Sequence, residues 1–326
     1  MRHRLRIHAA ALLFLLGIAA CVGEAPKRRP IRIGLAAFPS YEYVALAHRQ
    51  GFFRSHGFDV DLVDFAAAAD VRSSFERGQI DVFLATVPDV LMAADRTNRE
   101  PAVVFIVDDA AGVDVIVGKD MRTPEDLEGK RVGLEPGSLG LFVLARALER
   151  SGLWLDKVTV VAVRQSRMVQ ALENGDIDAA VLARPVRDEA LGVAGTSVLF
   201  STKAMPHEIL DLAVCDRRIL DEHPGFATAF AQCFDRAKDW ARANPETAVA
   251  SMSRRLGMTP EAFVKVVTEE IAVKSSQDQE SFVRPGGALE AALIRADGTL
   301  RSLGQLAGPP RYRQILAANR EPKGRD

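Results

Sequence analysis

The sequence predicts an α/β chain of two doubly wound lobes, each a sheet flanked by helices, with a helical C-terminal region. Three observations predict it. Nearly continuous apolar runs at 31–37, 80–85, 102–107, 131–134, 158–163 and 178–183 have strand length and lack polar alternation, the pattern of strands buried on both faces of a parallel sheet. A pattern repeats after 97–99 residues: Arg32-Ile33-Gly34-Leu35 returns as Arg131-Val132-Gly133-Leu134, and Gly78-Gln79-Ile80-Asp81 as Gly175-Asp176-Ile177-Asp178. After a further strand at 210–215, the segments 216–243, 245–256, 259–272 and 286–304 all read as helices.

Composition narrows the class. The chain has 326 residues, 48% hydrophobic and 26% charged, which excludes disordered, collagenous and disulfide-scaffold proteins. A net charge of -1 implies no field strong enough to hold a nucleic-acid backbone.

From the N-terminus, residues 1–8 hold three arginines and no acid, and residues 9–20 are apolar up to Cys21, which reads as an export signal. Twelve apolar residues fall short of the roughly 18–20 that cross a bilayer. Ile18-Ala19-Ala20-Cys21 resembles a bacterial lipobox, which would make Cys21 an acylated first residue and 21–30 a tether. The bland alternative is a plain signal peptide cut at Ala20. Loss of 1–20 leaves 39 basic and 43 acidic side chains, a net charge of -4. Cys215, in a strand-like run, and Cys233, inside a helix, read as buried thiols in preference to a disulfide.

The repeat then organises the rest. In each copy a helix (71–77, 166–173) ends at a glycine suited to a left-handed cap, and an apolar strand follows. One lobe comprises 31–115 and 205–310, the other 116–204, and 311–326 forms a tail. Two crossings, near 113–119 and 199–210, make a hinge and place the default ligand site in the cleft between the lobes.

Ligands of doubly wound sheets sit at the carboxyl ends of the strands. After the first strand come Phe38, Ser40, Tyr41, Glu42 and Tyr43: Phe38 and Tyr41 read as pocket walls, Ser40 as a helix cap, Glu42 as an acceptor from the ligand, and Tyr43 as core. Thr86-Val87-Pro88-Asp89 follows the strand 80–85. Asp108 and Asp109 read either as caps of backbone N–H groups or as contacts for a cation or amine, the cap being at least an equal reading for Asp108 and the two roles equal for Asp109. In the second lobe Gly137-Ser138 turns into the helix 139–151, whose unpaired N–H groups and dipole suit a carboxylate, sulfonate or phosphate. Arg184 either points a guanidinium fork at an anion or pairs with Asp188 or Glu189 at the surface. Catalytic constellations are scarce: no His-Glu-x-x-His, Gly-x-Ser-x-Gly or Cys-x-x-Cys occurs, and of six scattered histidines only His207 falls near the cleft. No enzyme, metal or cofactor is expected.

These residues resemble the periplasmic solute-binding proteins of ABC importers, in the branch of sulfonate-, taurine- and nitrate-binding proteins and pyrimidine-precursor binders. The resemblance covers about 31–305. It rests on Ala45-Leu46-Ala47 with Gly51-Phe52-Phe53 and Gly57-Phe58-Asp59-Val60, on Gly78-Gln79-Ile80-Asp81, on 123–133 (TPEDLEGKRVG), on 175–181 (GDIDAAV) and on Ala243-Asn244-Pro245-Glu246. It implies a type II periplasmic-binding fold with a two-stranded hinge, closing on one small molecule and delivering it to a permease and ATPase complex. The ligand would meet the 38–43 loop, Thr86, Asp109, Gly137, Ser138 and the loop after 183. One departure stands out: many relatives carry an aromatic-acid-proline triplet where this chain has Ala183-Arg184-Pro185.

Gly137-Ser138 and Arg184 favour an anion, whereas Glu42, Asp89, Asp109 and Glu135 favour an amine; a taurine-like zwitterion satisfies both. A small sulfonate or amino-sulfonate ranks ahead of a pyrimidine precursor. The competing functions are a ligand-sensing receptor lipoprotein and an enzyme of the pyrimidine-synthase-like branch. The chain is expected to be a monomer, anchored to a membrane through Cys21, in the periplasm or at the cell surface.

Overall fold

The computed structural model describes residues 29–318; the expected export signal, Cys21 and most of the expected tether lie outside the described residues. Two mixed sheets form the frame. The first has the order β11-β4-β10-β3-β1-β2 and is built from β1 (Ile31–Ala36), β2 (Val60–Phe65), β3 (Val82–Thr86), β4 (Pro101–Asp109), β10 (Leu210–Asp216) and β11 (Ala272–Val273). The second has the order β7-β6-β8-β5-β9 and contains β5 (Val115–Lys119), β6 (Arg131–Leu134), β7 (Thr159–Ala162), β8 (Ala179–Leu182) and β9 (Thr196–Ser201). The chain passes between the sheets twice, through 110–114 and 202–209.

The helices are α1 (Glu42–Arg49), α2 (Phe52–Ser55), α3 (Ala68–Glu76), α4 (Val87–Arg96), α5 (Gly140–Arg150), α6 (Met168–Asn174), α7 (Val186–Ala190), α8 (Arg217–Glu222), α9 (Phe226–Ala243), α10 (Pro245–Arg255), α11 (Pro260–Glu269), α12 (Gln279–Val283), α13 (Ala288–Ser302) and α14 (Tyr312–Ala318). One face of the first sheet packs on α1, α2 and α9 through Phe53, Phe105, Phe226, Phe230 and Phe234, and its other face packs on α3, α4 and α13. The second sheet is covered by α5 on one side and by α6 and α7 on the other.

The internal repeat is visible atom by atom. The Arg32 amide and Nε both donate to Asp81 Oδ2 and its Nη2 to the Gly78 carbonyl; Arg131 makes the same bonds to Asp178 and Gly175. Gly78 and Gly175 both take the left-handed conformation, at φ 72° and 74°. A Cβ on Gly34 would lie 2.4 Å from Ile80 Cδ1 and one on Gly133 2.5 Å from Ile177 Cδ1. In each copy, then, glycine is what lets an isoleucine pack directly on the first strand.

Several expectations need correction. The sheets are not wholly parallel: β10 runs antiparallel to β3 and β4, and β5 antiparallel to β8 and β9. Apolar runs alone do not carry strand direction, because a central antiparallel strand is buried on both faces too. Residues 115–119, expected in a crossing, form β5 at the interior of its sheet, which shortens that crossing. The run 158–163 is not buried; β7 pairs only with β6 at an edge, and Val160 is 39% exposed. The expected helix 216–243 breaks at Pro224, which cannot continue it, and Gly225 at φ 83° redirects the chain into α9. The sequence reading also missed β2, β9 and the two-residue β11. Cys215 and Cys233 are free and buried.

Candidate functional site

The carboxyl ends of β1, β3 and β4, with the start of β10, bring one set of polar side chains together. Phe38 leaves β1 half-buried, packs against the cores of both sheets, and lies 5.1 Å centroid to centroid from Tyr41. The turn Pro39–Tyr41 is buried, with Ser40 inaccessible and Tyr41 donating its hydroxyl to Asp211 Oδ1. Burial, and then the charge of Asp211, raises the Tyr41 hydroxyl well above its ordinary pKa. Tyr43 packs on Phe234, 5.7 Å between centroids.

Glu42 opens α1 fully buried, and Arg255 Nε donates to its Oε1 at 2.6 Å. That carboxylate already serves an arginine of the chain, which removes the simplest version of its expected role as a ligand acceptor. Thr86 caps α4: its hydroxyl accepts from the Asp89 amide and donates to Asp89 Oδ2 at 2.8 Å, while Arg72 Nη1 donates to Asp89 Oδ1 at 2.5 Å.

Carboxylates dominate the centre. Asp108 is fully buried beside Ser40 and Asp211, yet no donor meets either of its oxygens in hydrogen-bonding geometry. It therefore does not act as the backbone cap expected of it. Burial, reinforced by the charge of Asp211, pushes its pKa well up. Asp109 Oδ2 meets His207 Nδ1 at 2.5 Å, and Asp109 Oδ1 has no hydrogen-bond partner. Burial raises Asp211 to about 6, and burial with the charge of Asp211 raises Asp114, in the first crossing, to about 7.

The facing wall belongs to the second sheet. Gly137, at φ 76°, stands opposite the first turn of α3, and a Cβ built on it would lie 3.5 Å from Ala69 Cβ. The N-terminus of α3 has no side-chain cap and that of α5 has only the Ser138 hydroxyl on its first amide, so two positive helix ends come together where Gly137 meets Ala69. The Ser138 hydroxyl donates to the Glu135 carbonyl at 2.7 Å and accepts from the Gly140 amide at 3.1 Å, which ties it into its own turn. After β8, Arg184 pairs with Asp188, as one reading expected, and with Glu270, which no reading anticipated.

The structure thus gathers Phe38, Ser40, Tyr41 and Asp109 around Asp108 and Asp211, whereas Gly137 lies against Ala69 of α3 and Ser138 is bonded within its own turn. The sequence reading missed Asp211, Asp114, Arg187 and Glu270. Asp211 alone had a legible signal, an acid inside the otherwise apolar run 209–215.

Comparison with known proteins agrees with this architecture. Residues 39–248, more than half of the chain, match the family described as NMT1/THI5 like. The chain belongs to that family. Among relatives, a Brucella abortus protein named only as a binding protein is 26% identical over 282 residues, 82% of this chain and 85% of the relative. The taurine-binding periplasmic protein of Escherichia coli is 25% identical over 300 residues, 89% and 92% of the two chains. The crystal structure of the periplasmic aliphatic sulphonate-binding protein SsuA from Escherichia coli superposes with a TM-score of 0.73 at 18% identity, covering 89% of this chain and 97% of that one. This NMT1/THI5-like chain therefore has a periplasmic-binding fold, as its resemblance implied. Among the described residues no group of three or more His, Cys, Asp or Glu is arranged to hold a metal ion.

Proposed function

We propose that this chain is the substrate-binding component of an ABC importer, exported and tethered through an acylated Cys21, which captures a small amino-sulfonate of the taurine kind. The observation that carries the ligand class is the pairing of opposite chemistries within one cleft. The N-termini of α3, which has no side-chain cap, and of α5, meeting where Gly137 faces Ala69, offer positive dipole ends to a sulfonate. Asp108 and Asp109 offer buried carboxylate oxygens without a hydrogen-bond partner to an ammonium group, beside Asp211, which Tyr41 already holds. A taurine-binding relative supports the same ligand class.

In this mechanism the two halves move about 110–114 and 202–209, Phe38 and Tyr41 wall the ligand, and the closed monomer presents itself to a permease. Relatives that are binding proteins support a transport role without catalysis. The excess of carboxylates favours one second reading, a nitrogen heterocycle bound through its N–H groups.

Thermal unfolding of the chain against taurine, alkanesulfonates, nitrate, pyrimidines, polyamines and carboxylates tests the reading. A ligand at about 100 times its dissociation constant adds roughly 2.7 kcal/mol of stability. Stabilisation by taurine above ethanesulfonate is the expected result; stabilisation by pyrimidines alone would replace the sulfonate with the heterocycle.

A further inference from the structure

Arg184 and Glu270 come from opposite halves of the fold. Arg184 follows β8 of the second sheet, and Glu270 ends the α11 segment just before β11, which pairs with β4 in the first. Arg184 Nε donates to Glu270 Oε1 at 2.7 Å, and Arg187 Nη2 donates to the same oxygen at 2.6 Å. Glu270 is 5% exposed and its Oε2 has no hydrogen-bond partner. A cavity of about 340 Å³ opens beside the three residues, with Lys203 and Lys265 on its wall. Arg187 is further anchored to the carbonyls of Gly112 and Val113, whereas the other ionic partner of Arg184, Asp188, is 47% exposed.

We propose that Glu270 determines ligand selectivity by acting as an internal anion: it occupies the Arg184–Arg187 fork and so bars a second anionic group on the ligand. The proposal rests on the binding-protein reading above and deepens it. An arginine fork is the natural partner of a carboxylate or sulfonate. With Glu270 and Asp188 in place, the two guanidinium charges are balanced. A ligand anion entering here would displace Glu270 and leave a carboxylate that is 5% exposed without its partners, a heavy penalty. The ends of α3 and α5 remain for the one sulfonate of the ligand. The departure of Ala183-Arg184-Pro185 from the pattern of relatives thus acquires a reason: the arginine is matched by a glutamate far away in sequence.

The test compares the full chain with Glu270→Gln, titrated with sodium sulfate against chloride at matched ionic strength, and with ethane-1,2-disulfonate and taurine. Glu270→Gln is expected to gain sulfate-dependent thermal stabilisation, with sulfate affinity at least about tenfold above wild type, and to shift the disulfonate-to-taurine affinity ratio by a similar factor. Sulfate responses equal within about twofold would overturn the proposal. Should the freed arginines unfold the single variant, Arg187→Gln/Glu270→Gln leaves Arg184 with Asp188 alone; a smaller gain, at least about threefold in sulfate affinity, is expected, and an unchanged affinity would overturn the proposal. The sulfate readout does not involve taurine. A wild type that ignores taurine, beside a variant that gains sulfate binding, refutes the amino-sulfonate reading and keeps the role of Glu270; the reverse pattern does the opposite.

Discussion

Arg32 closes on Asp81 from its backbone and its side chain together, the amide at 3.0 Å and Nε at 3.1 Å from one carboxylate oxygen, so that β1 and the start of the β3 strand region are locked in register. Its repeat partner, Arg131 on Asp178, has the same geometry in a wetter place. The Asp81 side chain is 1% exposed, that of Asp178 30%.

Equal geometry in unequal dielectric predicts unequal energies. Asp81→Ala is expected to lower unfolding stability by about 1.5–3 kcal/mol, because it leaves a β1 amide unpaired and a partly buried guanidinium without its carboxylate. Asp178→Ala is expected to lower it by less than about 1 kcal/mol. Urea unfolding of both variants checks this, and equal losses would refute the burial argument.

Tyr41 holds the central acids through its hydroxyl on Asp211. Tyr41→Phe removes that donor without changing the ring, so Asp211 is left less well solvated. The expected loss is about 1–3 kcal/mol at neutral pH, shrinking in acid where Asp211 is protonated, as read by denaturant unfolding at both pH values.

Asp114 at about 7 and Asp211 at about 6 keep protons in the folded state that the unfolded chain gives up near its ordinary carboxylate value of about 4. In that window the folded state binds more protons than the unfolded one, so stability falls as pH rises from about 4 and levels off above about 7. The ligand-free melting temperature is expected to be several degrees higher near pH 5 than near pH 8, and Asp114→Asn should flatten part of that slope. A melting temperature that rises across this range would contradict the buried-acid assignment.

Gly137 sits where two positive helix ends meet, at φ 76°. Gly137→Asp should abolish sulfonate binding by placing a carboxylate there, while the exposed turn limits the folding loss to about 1 kcal/mol. Gly137→Asn tolerates the same backbone without the charge and should keep binding within about tenfold. Calorimetric titration with taurine separates the two, and identical behaviour would remove the helix ends from the site.

Much of the frame was legible because it is local. Apolar runs gave β1, β3, β4, β6, β8 and β10, and the glycines 78 and 175 marked where helices stop, since few other residues accept a left-handed cap. β2 was missed because Asp61 and Asp64 interrupt its apolar residues, and β5 because its five residues look like a connection. The loops after the strands were found by topology, and so was the pairing of Arg184 with Asp188, yet the partners Arg255 of Glu42 and Glu270 of Arg184 were not, because each lies far away in sequence.

The chain order alone specified the repeat, the class of fold and the loops that face the cleft, since periodicity and turn chemistry act between near neighbours. Only the tertiary structure decided which charges are free. Arg255 meets Glu42 across 213 positions, Arg184 meets Glu270 across 86, and Asp108 and Asp211 are brought side by side by an antiparallel pairing of distant strands. Burial then sets their energies: withdrawn from water, a carboxylate keeps its proton or takes an arginine, and that choice determines what the cleft can bind.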